Sequence, residues 1–123
     1  MSLHDRPTVG EILQAVRAYL TDEVAKTEDR RARFRALIAA NVLGVAEREL
    51  AAAERDAEAE EKALGALGLT AGSADERRRA LCADIRAGKY DEPRRFAPAL
   101  DYAAAMVERK LAVSNPRYLQ RWG

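Results

Sequence analysis

From about residue 28 to residue 67 the chain contains no proline, and Gly44 is its only glycine before Gly65. A run of that kind has few alternatives to one long helix. Proline is the residue that breaks a helix interior, and a single glycine costs only about 1 kcal/mol there. At 1.5 Å per residue the run reaches roughly 60 Å if unbroken. Glu28 and Asp29 are acids suited to its N-terminus, and Gly65 and Gly68 supply a stop. Its halves differ. Phe34, Leu37, Ile38, Val42, Val45 and Ala46 form a strong apolar face, whereas residues 51–62 are almost entirely alanine and charge. In that second half Leu50, Ala53, Ala57, Leu64 and Leu67 fall near heptad spacing, a seam small enough for close helix packing.

The flanking segments are also helical. Thr8 followed by Glu11 is a capping box, and Val9, Ile12, Leu13, Val16, Leu20 and Val24 recur at helical spacing, predicting a helix over 8–26. Ser73 and Glu76 repeat the box ahead of a short helix through Leu81, Cys82 and Ile85, ended by Gly88. A last helix is expected over 95–113, with Phe96, Leu100, Ala103, Val107 and Leu111 on one face. Asn115-Pro116 breaks it. Nowhere do β-branched and aromatic residues alternate as a strand requires. The expectation is therefore an all-α fold, a four-helix up-and-down bundle with one long second helix. Residues 1–7 read as a flexible N-terminal arm and residues 8–123 as a single helical domain.

Composition says what such a bundle lacks. The chain is 48% hydrophobic, but much of that is alanine, and aromatics are only 6%. Each alanine buries little apolar area, so the core of one copy is thin and dimerisation is expected to extend it. The net charge of +1 argues for no polyanionic partner, although residues 1–67 carry −3 and residues 68–123 carry +4. An acidic face of one molecule could meet a basic face of another. One cysteine rules out an internal disulfide and suits a reducing cytoplasm. No apolar run approaches the roughly 18 residues of a membrane span.

Chemistry is sparse. His4 is the sole histidine and sits in the arm, so a Ser-His or Cys-His nucleophile pair would need the arm to fold back. Glu58, Glu60 and Glu61 read as a solvated acidic face rather than metal ligands, and no Gly-rich phosphate loop is present. No cofactor or metal is expected. Cys82 reads as a buried thiol beside Leu81 and Ile85, with Arg78, Arg79 and Arg86 leaving a reactive thiolate open. Arg94, Arg95, Arg109, Lys110, Arg117 and Arg121 with Tyr118 and Trp122 would make at most a weak nucleic-acid patch, without any binding motif. Asn41 falls on or beside the apolar stripe of the long helix, and a buried amide must find partners. With Arg48, Glu49, Arg86, Asn115, Arg117 and Tyr118 it makes the candidate binding set. In the segments 85–91 and 115–119, Arg86, Tyr90, Arg117 and Tyr118 are the residue types of contact hot spots, and equally those that seal the end of a bundle with guanidinium groups capping carbonyls, the favoured reading.

Several segments together carry a resemblance. These are Pro7-Thr8 with Glu11-Ile12-Leu13 and Val16, Ala40-Asn41-Val42-Leu43 leading to Glu47-Arg48-Glu49, Leu81-Cys82 with Ile85-Arg86-Ala87-Gly88 and Asp91, and Lys110-Leu111-Ala112-Val113 with Asn115-Pro116-Arg117-Tyr118-Leu119. The chain resembles, over almost its whole length, a family of small bacterial all-helical proteins with no assigned activity, a domain of unknown function. Residues 51–62 and 65–75 fit its pattern loosely. The resemblance implies gene neighbours that look like aminoglycoside-phosphotransferase-like kinases and acyl-CoA dehydrogenases, hence an accessory role, and it transfers no catalytic residue. Two functional readings follow. One is a non-catalytic, self-associating interaction protein. The other is a small-molecule binder or enzyme with a polar site around Asn41, Arg48, Glu49, Arg86 and Tyr118.

Overall fold

The computed structural model describes residues 6–122; His4 and most of the expected N-terminal arm lie outside the described residues. Those residues form five α-helices and no strand: α1 (Val9–Asp22), α2 (Arg30–Ala66), α3 (Ala74–Arg86), α4 (Pro93–Ser114) and α5 (Pro116–Trp122), with a single 3₁₀ turn at Val24–Lys26. The all-α expectation and the long second helix hold. The expected count of four does not. Asn115-Pro116 ends α4 but also starts α5, because a proline at the first helical position gives up only an N–H that has no partner there. Pro93 opens α4 in the same way. Gly44 does not interrupt α2.

The helix starts follow the caps in the sequence. The Glu11 N–H donates to Thr8 Oγ1 at 3.1 Å, and Arg31 N–H donates to Asp29 Oδ1 at 3.0 Å. Ser73 and Glu76 close a reciprocal pair: Glu76 N–H donates to Ser73 Oγ, and the Ser73 hydroxyl donates to Glu76 Oε1, both at 3.2 Å. Two helix ends are Schellman motifs. Leu69 N–H reaches Leu64 O and Gly68 N–H reaches Gly65 O, both at 2.9 Å, with Gly68 at φ 83°. Lys89 and Gly88 repeat this on Asp84 and Ile85, with Gly88 at φ 80°. Both glycines hold the left-handed conformation that the motif requires.

The contacts divide the chain into two compact units, Met1–Ala53 with Val113–Pro116, and Glu54–Ala112 with Arg117–Gly123. In the first, α2 buries Ala36, Ala40 and Gly44, one turn apart. The face expected to be buried there is the other one: Phe34 is 65% exposed and Val42 60%, with Leu37 and Ile38 about half exposed. Beside Gly44 stand the side chains of Arg48 and Arg17, which cover this small-residue face, while the bulky face is left outward. α1 likewise leaves Val9, Ile12, Val16 and Tyr19 exposed.

The second unit has the larger core. Leu64, fully buried, packs with Leu81, Tyr90 and Tyr102, and Ala63, Leu67, Leu69, Ala99 and Met106 surround them. Leu69 touching the Leu64 cluster is the apolar contact that accompanies a Schellman ending. Here too the expected face of α4 is uncovered: Phe96, Leu100 and Val107 are exposed, while Tyr102 one stripe away is buried. Cys82 is exposed, not buried, because α3 turns Leu81 inward instead. Of the expected heptad seam only Leu64 is fully covered. Leu50, Ala53 and Ala57 are exposed.

Candidate functional site

The most highly organised polar group lies in the second unit and centres on Glu60. Its side chain belongs to the acidic run expected to be solvated, yet Glu60 is only 8% exposed. It stands one turn before Leu64 on α2, so the same covered face carries both. Arg78 of α3 donates to it three times, from Nε to Oε1 at 3.1 Å and to Oε2 at 3.0 Å, and from Nη2 to Oε1 at 3.0 Å. The hydrogen bond to Glu60 is the main reason the Arg78 guanidinium holds its proton more tightly than usual. Tyr102 of α4 donates its hydroxyl to Glu60 Oε2 at 3.0 Å. Burial first, and then that hydrogen bond beside a carboxylate, push the phenol up to about 12. A buried carboxylate answered by a forked guanidinium and a phenol ties three helices together. It offers no free base and no activated nucleophile.

In the first unit the polar contacts are also structural. Arg17 of α1 donates from Nε to Glu47 Oε2 at 3.0 Å. Arg48 donates from Nε to the carbonyl of Val113 at 2.7 Å. Val113 is next to last in α4, where helix carbonyls have no intrahelical partner, so Arg48 caps the end of that helix. The sequence reading places such sealing in the segments around Arg86 and Arg117, not at Arg48. Asn41 is exposed rather than buried, in the middle of the uncovered Phe34–Val45 stripe, so it does not face the burial problem expected of it. Glu49 and Asn115 are exposed in the same unit. Arg86, Arg117 and Tyr118 belong to the second unit, also on its exposed surface.

Charged and polar side chains make up much of the remaining surface, and large apolar ones share it. Among the described residues the large hydrophobic side chains at least 43% exposed stand mostly along three helices: Val9, Ile12, Val16 and Tyr19 on α1; Phe34, Leu37, Ile38 and Val42, with Leu50 further along, on α2; Phe96, Leu100 and Val107 on α4; Ile85 on α3 and Tyr118 on α5 stand singly. Spacings of three, four or seven residues keep each set on one side of its helix. Among the described residues no helix is long and apolar enough to cross a membrane. Among the described residues no group of three or more His, Cys, Asp or Glu side chains could hold a metal ion.

No curated protein and no solved structure matches the chain. A family model does, over residues 26–118, and its boundaries take in the long helix, the Glu60 group and the Arg48 cap. The chain belongs to the DUF6285 family, a domain of unknown function.

Proposed function

We propose that this chain is a non-catalytic accessory protein that works through its helix faces, pairing with itself and, in that form, serving a larger enzyme. The observation that carries the proposal is its uncovered apolar surface. Among the described residues Phe34 and Val42 on α2 are 65% and 60% exposed, and Val9, Phe96, Leu100 and Val107 are each more than half exposed. Exposed stripes on three helices are more than a monomer normally leaves in water.

The expected up-and-down bundle fits this reading when the missing core layer comes from a second copy. The same reading places the protein in a bacterial cytoplasm. Its partner is then an enzyme of the phosphotransferase-like or acyl-CoA dehydrogenase type, as the family resemblance suggests. The capping role of Arg48 supports this reading over a small-molecule site, since it withdraws one of that site's members. Light scattering at tens of micromolar tests the first half: a dimer or larger species is expected, and a strict monomer removes the self-association. Co-purification tests the second half. Recovery of neither enzyme type removes the partner.

A further inference from the structure

One line of residues along α2 is self-complementary. Arg35, Val42 and Glu49 are spaced seven apart, which turns a helix through 700°, 20° short of two full turns. They therefore run along one edge of the uncovered stripe that Phe34, Ile38, Asn41 and Val45 centre. All three are exposed in the same unit. Arg35 and Glu49 take part in none of the ion pairs found among the described residues. The edge thus reads positive, apolar, negative, with Val42 at its midpoint.

We propose that two copies of the chain pair antiparallel through this face of α2, with Arg35 of each copy against Glu49 of the other on either side of a Val42–Val42 contact. The proposal rests on the self-association reading and names its surface and orientation. Charge decides the direction. In a two-fold antiparallel pairing each residue of the edge meets its reflection about Val42, so both charged positions find an opposite charge. In a parallel, in-register pairing this edge would face the opposite edge of the partner's stripe, where Leu37 lies, so neither Arg35 nor Glu49 would meet its opposite charge. Apolar area supplies the drive. Phe34, Leu37, Ile38 and Val42 lie together on the same face, each about half exposed or more. Asn41 falls inside the paired surface, where one polar side chain among apolar neighbours favours a single register.

The experiment uses the full chain in four forms: wild type, Arg35→Glu, Glu49→Arg and the double variant carrying both. Association is followed by sedimentation velocity in low salt, and circular dichroism confirms that helix content is unchanged. Each single reversal is expected to weaken dimerisation about tenfold, because two ion pairs become two repulsions. The double variant restores it, since each copy then offers the opposite line. A wild-type dimer indifferent to both single reversals overturns this pairing while leaving self-association intact; pairing through the α4 stripe or in parallel gives that result. Failure of the double variant to recover also overturns it. A monomeric wild type overturns both.

Discussion

The Tyr102 hydroxyl donates to Glu60 Oε2 at 3.0 Å, joining α4 to a carboxylate that α2 buries. The phenol is held neutral by burial and by that bond, with its pKa raised from 10.0 to about 12. A folded-state pKa above the unfolded one adds stability that is fully present below about pH 10 and lost as pH rises towards about 12. Wild type is therefore expected to lose stability across pH 10–12 more steeply than Tyr102→Phe. Denaturant unfolding of the two proteins at intervals over that range measures the difference, and parallel curves would show that Tyr102 does not titrate as described.

Removing Arg78 leaves the Glu60 carboxylate buried with only the Tyr102 donor. Arg78→Ala is expected to cost about 2 kcal/mol, short of the loss for a fully buried pair because the Arg78 side chain is itself 43% exposed. Adding Glu60→Leu should return much of that stability, as the uncompensated charge disappears. A double variant no more stable than Arg78→Ala would argue that the loss comes from packing instead.

The Arg48 cap on the Val113 carbonyl predicts a loss of about 1–2 kcal/mol for Arg48→Ala, seen as a lower Tm. Amide exchange supplies the specific readout. It should accelerate at the end of α4, where the cap acts, before it changes in α3.

Gly88 sits at φ 80°, where a Cβ would also lie 3.0 Å from Asp91 Oδ2. Gly88→Ala is expected to destabilise by about 1–2 kcal/mol. Gly65→Ala, with open space around it and no positive φ, should be neutral or stabilising. Thermal melts of the pair separate a conformational demand from a simple tolerance of alanine.

Local chemistry was readable from the sequence and coverage was not. Thr8, Ser73, Gly68 and Gly88 announce helix ends because a cap or a left-handed turn needs only neighbouring residues. The period of α2 and α4 likewise shows that apolar stripes exist. It does not say which stripe the chain covers itself. Ala36, Ala40 and Gly44 take that place over Phe34 and Val42, with the Arg17 and Arg48 side chains beside Gly44, which periodicity does not weigh. Pro116 carries two meanings, an end for α4 and a start for α5, and only the first was read. Glu60 was missed because it sits among Glu58 and Glu61. Its one distinguishing signal is its place a turn ahead of Leu64.

Sedimentation equilibrium of the wild type beside Val42→Asp tests the central claim most directly. Val42 is 60% exposed in the single chain, so a charge there is harmless to its own fold. The account predicts a wild-type mass near twice 13.6 kDa and a Val42→Asp mass near 13.6 kDa, with equal helix content. A wild type that stays at 13.6 kDa at tens of micromolar would contradict it.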